Sequence, residues 1–252
     1  MRTLVWMAAL GIGLAAAVPS VESGAAMEDV APSRTVSFSE AKFLIEHNST
    51  DEDTGFQGFV DGEPWRELRI LNPQGQVILE VEPEGKLRKL GLTELFFETQ
   101  EPANDEVPLK ELLAMMPPGR YNFRGTSVAG QPMAGSAVLT HNIPAGPVIL
   151  SPAEGAVVDP NNFAVDWNPV TENLSGGSVE IVAYQLIVEL DTAVKFPDAF
   201  AKIVMSVHVP PSVTKVTVPK EFLQAGKPYK FEVLAIEKSG NQTITSSTFK
   251  TQ

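Results

Sequence analysis

The chain has 252 residues, of which 43% are hydrophobic and 20% are charged, and it contains no cysteine. This length accommodates two domains of about 100–150 residues each, and the missing cysteine excludes disulfides, thiolate-bound metal sites and cysteine nucleophiles. The net charge of −12 repels phosphate backbones, so we expect no nucleic-acid partner.

The N-terminus has the features of an export signal. Arg2 precedes an apolar run over residues 4–18, and small residues follow at 23–26. The run is shorter than the roughly 20 residues that span a bilayer, so a cleaved signal peptide over residues 1–26 is favoured over an uncleaved anchor. We therefore expect a secreted or periplasmic protein whose mature chain has no transmembrane segment.

A domain boundary is expected at residues 142–147, where two prolines and a glycine disfavour both helix and central strand. Residues 27–145 carry 10 basic and 19 acidic side chains, whereas residues 146–252 carry 8 and 11. The sequence thus predicts an acidic β-sandwich-like domain over 27–145 and a second, less acidic domain over 146–252.

Apolar runs bounded by turn residues predict that the first domain consists mainly of strands. The runs at 68–71 and 77–81 flank a Pro/Gly turn and predict a hairpin, and Leu109, Leu112 and Met116 behind Pro108 predict one short helix. The sequence Pro-Gly-Arg-Tyr-Asn-Phe at 118–123 resembles late strands of bacterial immunoglobulin-like modules. Strands are expected at 42–46, 68–71, 77–81, 93–99, 121–126 and 136–140.

The acidic loop that begins at residue 48 offers the most specific candidate for a metal site. Asp51 and Asp53, with Asp61 nearby, supply the hard oxygen ligands that calcium prefers. The spacing does not match an EF-hand, and a run of charges is usually a solvated surface. We expect the three aspartates to face solvent, and we keep calcium binding as the alternative.

Three aromatic residues flank this loop, namely Phe56, Phe59 and Trp65. Aromatic rings interleaved with carboxylates are able to stack on a sugar or clamp a peptide. Large aromatic residues are more often buried, so packing in the core is favoured over ligand binding.

The second domain shows period-two alternation in successive runs, which is typical of a β-sandwich. Residues 147–252 resemble a fibronectin type III domain, because Trp167 and Tyr184 match its core aromatics and Leu223-Gln-Ala-Gly-Lys-Pro-Tyr229 matches its corner motif with two turn residues changed. The resemblance implies that Trp167 lies between two sheets. It also implies that the Tyr229 hydroxyl bonds to backbone upstream.

No catalytic or cofactor signature was found, and the three histidines are far apart in sequence. We expect an all-β protein of two sandwiches that acts as a non-enzymatic exported binding or structural module, with no cofactor. Its partner is expected to be a protein or glycan of the envelope or medium. The alternatives are a carbohydrate-active or other hydrolytic enzyme with its site on the acidic domain, and a calcium-stabilised adhesion module.

Overall fold

The computed structural model describes residues 34–192 and 203–252, in which strands predominate. The predicted signal peptide lies outside the described residues. In chain order the elements are β1 (Val36–Ser37), β2 (Glu40–Asn48), β3 (Asp53–Leu71), β4 (Val77–Val81), α1 (Gly85–Leu90), β5 (Leu92–Glu98), α2 (Leu109–Met115), β6 (Gly119–Ser127), β7 (Pro132–Leu139), β8 (Ile149–Ser151), β9 (Ala156–Val158), β10 (Ala164–Trp167), β11 (Ile181–Leu190), β12 (Val204–Val209), β13 (Lys215–Thr217), β14 (Pro228–Glu237) and β15 (Gln242–Thr251).

The first half is organised by the bend of one long strand, β3. Its N-terminal part pairs with β2 and β5, and its C-terminal part pairs with β4 and β6. The register shifts between Asp61 and Trp65, where Gly62 and Pro64 interrupt the ladder. Because of this bend, β3 contributes to both layers of the first sandwich.

A hydrophobic core fills the space between these two layers. Alternate residues of β2, Phe43 and Ile45, point into it and meet Phe56 of β3 and Trp65, which is fully buried. Helix α2 adds Leu112 to this core. It is the helix that the sequence predicts, while α1 is a second short helix that the sequence analysis did not predict.

The second half is a sandwich with its own core. The sheet β8–β10–β13 packs against β12, β11, β14 and β15, which pair in that order. Strand β11 alternates, with buried Leu186 and Val188, and β14 alternates as far as buried Phe231 and Val233 before a run of three buried residues at 233–235. The all-β class and the sandwich architecture expected from the sequence are confirmed.

The two halves share one sheet, because β15 pairs with β2 as well as with β14. The resulting order is β1–β7–β6–β3–β2–β15–β14–β11–β12, and Arg34–Gln252 forms one compact unit. The division into domains at residue 145 stays a prediction. The junction of β2 with β15 brings together polar side chains that are distant in the sequence.

Candidate functional site at the strand junction

The junction is built first from main-chain pairing. Residues 242–244 of β15 run parallel to residues 46–48 of β2, with Gln242 beside Glu46. The chain then turns, and Ser49 continues the contact: its backbone N–H and its hydroxyl both donate to the Ile244 carbonyl at 2.8 Å. Backbone groups from opposite ends of the chain thus satisfy one another across the junction.

Asn241, in the turn before β15, connects the two sides of the junction by hydrogen bonds. Its side chain is fully buried, accepts a hydrogen bond from the Ile45 N–H at 2.9 Å, and donates to the carbonyl of Thr140 at 3.0 Å. The same amide also donates to the Asn142 carbonyl at 3.2 Å. One side chain therefore satisfies backbone groups of β2 and of the segment that joins the two halves.

Three glutamates converge on the outer face of the sheet beside this junction. Glu46, Glu98 and Glu101, which we call the seam cluster, have carboxylate oxygens within 4.8 Å of one another. Glu46 is only 8% exposed and accepts a hydrogen bond from the Gln242 side chain. It lies on the outer face because its neighbour Ile45 points into the core.

The charge of the seam cluster is not balanced by a cation. No described lysine or arginine forms an ion pair with its three carboxylates. Burial raises the pKa of Glu46, and burial followed by repulsion from Glu98, Glu46 and Asp53 raises the pKa of Glu101 to about 7. Within the cluster, Glu101 therefore binds a proton near neutral pH.

A second group of glutamates provides a contrast. The carboxylates of Glu67, Glu80 and Glu82 are equally close, but Arg69 lies 2.7 Å from Glu80 and 3.3 Å from Glu67. A guanidinium thus compensates this group, whereas no described cation pairs with the seam cluster. Among the described residues, these are the two groups whose carboxylates are close enough to share a cation.

The aspartates singled out in the sequence do not form one site. Asp51 is exposed in the turn between β2 and β3, and Asp53 begins β3. Asp61 lies eight residues further along the same strand, about 26 Å away at the usual strand rise. It accepts a hydrogen bond from Ser39 at 2.6 Å. This separation is too large for one calcium ion to contact all three carboxylates.

Asp53 also departs from the expectation that it faces solvent. It is partly buried, and its Oδ1 atom has no hydrogen-bond partner among the described residues. Burial, reinforced by the charge of Asp51, raises its pKa. A strand position beside the seam cluster explains this difference, because the sheet shields the carboxylate that a free loop would expose.

The aromatic residues near the loop are largely core residues. Phe56 is 2% exposed and Trp65 is fully buried, which excludes both as stacking platforms for a sugar. Phe59 is half-buried on the outer face, where the Lys42 ammonium lies 5.4 Å from its ring centroid.

The residues that carry the fibronectin type III resemblance lie together in the second sandwich. Trp167 is buried and meets the Tyr184 ring edge-on at 5.5 Å between centroids. Leu223 is buried at the corner, and the hydroxyl of fully buried Tyr229 accepts the Gln224 N–H at 2.7 Å. Each tyrosine thus packs its ring in the core and uses its hydroxyl on backbone.

The residues that meet at the junction were not predicted from the sequence. Glu46 carried the one available signal, because it is a charged residue that directly follows the apolar run Phe43-Leu44-Ile45. Nothing in the sequence connects it to Glu98 or to Gln242, which lies 196 positions away.

Comparisons with known proteins add little to this description. No family model and no curated protein matches the sequence. The crystal structure of chicken CNTN1 FN1–FN3 domains is similar, with 13% identity, 88% of this chain and 69% of that chain covered, and a TM-score of 0.36. None of the described helices is long and apolar enough to cross a membrane.

Two further similar structures come from an adhesion protein and a biofilm associated protein. A tetra-tandem repeat in the extending region of a large adhesion protein has 9% identity, 84% and 50% coverage of the two chains, and a TM-score of 0.29. The BSP domain of a biofilm associated protein has 16% identity, 84% and 29% coverage, and a TM-score of 0.24. At such scores the fold assignment depends on the strand order and the two cores.

Proposed function

We propose that this chain is a non-enzymatic exported module with a structural or binding role, in which two β-sandwiches act as one rigid unit. The observation that carries the proposal is the junction: main-chain pairing of β2 with β15, closed by buried Asn241. A module that transmits force or holds a partner between its halves needs such a connection. A flexible linker would not supply it.

The site of action and the partner are part of the same proposal. The apolar run behind Arg2 supports export to the periplasm or the medium, and the net charge of −12 disfavours nucleic acid. The partner that we expect is a protein or glycan of the envelope or medium. The seam cluster supports a binding role better than a catalytic one, because it lies on the face of a sheet with Glu98 exposed rather than in a closed cleft.

Calorimetry of the wild-type chain and of Asn241→Ala tests the rigid junction. The substitution removes the partner of the Ile45 N–H and of two carbonyls, each worth about 1–3 kcal/mol when left buried and unpaired. We expect one cooperative transition for wild type. For Asn241→Ala we expect a loss of roughly 3 kcal/mol and separation into two transitions.

Asn161→Ala is the matched control, because Asn161 is exposed and bonds only to nearby Asp159. It should melt like wild type. Two independent transitions in wild type would show that the halves act separately and would contradict the proposal.

A hydrolytic function is tested with Glu101→Gln. We expect no turnover of polysaccharide or peptide substrates by wild type. Turnover that disappears in Glu101→Gln would place catalysis at the seam cluster and replace the proposed role.

A further inference from the structure

Helix α1 presents apolar and basic side chains together to solvent. Leu87 is 49% exposed and Leu90 is 74% exposed, and no residue of the helix is buried. Arg88 pairs with Glu82 at 3.1 Å, while Lys86 and Lys89 have no partner among the described residues. We call these residues, 86–90, the α1 tip; Leu87 and Leu90 are three positions apart and so lie on one face of the helix.

An apolar pocket with acidic surroundings lies beside α2. Its volume is about 350 Å3, which is large enough for two leucine side chains. Glu106 lines the pocket, and exposed Asp105 and Glu111 are sequence neighbours of lining residues, against one lysine, Lys110. This α2 pocket has an apolar lining formed by Phe56, Val107, Leu112, Met115 and Met116.

The tip and the pocket lie at opposite ends of one strand. The α1 tip leads into β5 at Leu92, and the chain leaves β5 at Glu98 to form the rim of the α2 pocket at Thr99 and Gln100. Seven strand residues separate the two surfaces by about 20 Å. They therefore do not meet within one molecule through this strand, but both are presented to other molecules.

We propose that the α1 tip of one copy docks into the α2 pocket of a second copy and so joins chains head to tail. Leu90, with Leu87 beside it, enters the apolar pocket. Lys86 and Lys89 face Glu106 at the pocket and the exposed carboxylates of Asp105 and Glu111 next to its lining residues. Because the two surfaces differ, the contact is heterologous and leaves a free tip and a free pocket at the ends of every assembly.

Charge complementarity selects a second copy as the occupant. A chain with a net charge of −12 repels its own copies in most orientations. The α1 tip is a basic exception, and it carries apolar groups matched to an acidic apolar pocket. The contact is smaller than a standard interface, so we expect association that is weak and depends strongly on concentration.

Sedimentation velocity of the purified chain from about 10 μM to about 1 mM, the range in which small interfaces associate, tests the proposal. The mean mass of wild type should rise at least twofold above the monomer. Leu90→Asp, which spoils the tip, and Met115→Asp, which spoils the pocket at a residue 64% exposed, should each remain monomeric.

A mixture of the two variants separates head-to-tail docking from other association. Leu90→Asp retains a good pocket and Met115→Asp retains a good tip, so the mixture should form dimers and nothing larger. Val157→Asp, a control in the second half at a residue also 64% exposed, should associate like wild type. Thermal melts confirm that each variant is folded.

The inference would be overturned by a wild type that is monomeric at all concentrations, or by Leu90→Asp or Met115→Asp associating like wild type. It would also be overturned by a mixture that stays monomeric, or by Val157→Asp losing self-association to the same extent. The inference extends the proposed structural role but fails separately from it. A monomeric wild type that melts in one transition would remove self-association and leave the rigid junction intact.

Discussion

Replacing Glu101 by glutamine should make the stability of the protein less dependent on pH. The Glu101 side chain sits against Gly55 of β3, where its carboxylate meets those of Glu46 and Glu98. Glutamine preserves the shape of this side chain and removes its charge. The substitution therefore isolates the electrostatic contribution of one carboxylate to the seam cluster.

The direction of the change in stability with pH follows from proton linkage. The pKa of Glu101 is about 7 in the folded chain against an ordinary value of 4.5, so the folded state binds more protons between these pH values. The stabilisation by protonated Glu101 is complete below pH 4.5 and is lost as the pH rises through 7. This difference in pKa corresponds to about 3 kcal/mol at most in the free energy of unfolding. Solvent screening of this partly buried group reduces the contribution to roughly 1–2 kcal/mol.

Thermal melts between pH 4 and pH 9 measure the effect. At pH 8 we expect Glu101→Gln to melt about 3–6 °C above wild type, and the two should converge near pH 4. Glu94→Gln is the matched control, because Glu94 is exposed on β5, the strand that carries Glu98, and lies outside the cluster. Two results would refute the reasoning. One is an equal rise in melting temperature for Glu94→Gln and Glu101→Gln; the other is a wild type that gains stability relative to Glu101→Gln as the pH rises from 5 to 7.

Three further predictions concern packing and the acidic loop. Trp167→Ala should cost about 3–5 kcal/mol in chemical unfolding because it empties a buried site, and a loss below 1 kcal/mol would contradict its place between the two sheets. Tyr229→Phe should cost about 1 kcal/mol in the same assay, since the ring stays and one hydrogen bond to backbone is lost. Calcium should not raise the melting temperature of wild type relative to the triple variant Asp51→Asn, Asp53→Asn, Asp61→Asn, because the strand separates Asp61 from the other two.

The local strands were predictable because their period-two patterns report burial directly. The hairpin of β3 with β4 formed across the expected Pro/Gly turn, and α2 formed behind Pro108. Helix α1 was not predicted, since its leucines are exposed and give no amphipathic pattern tied to a core. The first part of β3, residues 53–67, was not predicted either, because the acidic run was interpreted as a loop and Gly62 and Pro64 interrupt the pattern of the strand.

The site was less predictable than the fold because it is formed by long-range pairing. Glu46 and Gln242 are 196 positions apart, and no periodicity within either strand indicates that they are neighbours. The three aspartates considered as a calcium alternative are separated for a related reason, because proximity in sequence is not proximity in space along a strand. In a strand, eight residues separate two side chains by about 26 Å, whereas pairing brings distant residues within hydrogen-bond reach.

The segment at residues 142–147 shows why composition alone is a poor guide to a linker. Its prolines and glycine do exclude regular structure. Yet the Asn142 carbonyl accepts from Asn241, and the Pro144 carbonyl accepts from the buried Thr243 hydroxyl at 2.6 Å. Gly146 is packed so closely on Ser49 that an added Cβ would lie 2.2 Å from its hydroxyl oxygen. Because proline removes a donor but leaves every carbonyl, such a segment is well suited to accept hydrogen bonds from Asn241 and Thr243, and Asn241 in turn accepts the Ile45 N–H of the first half.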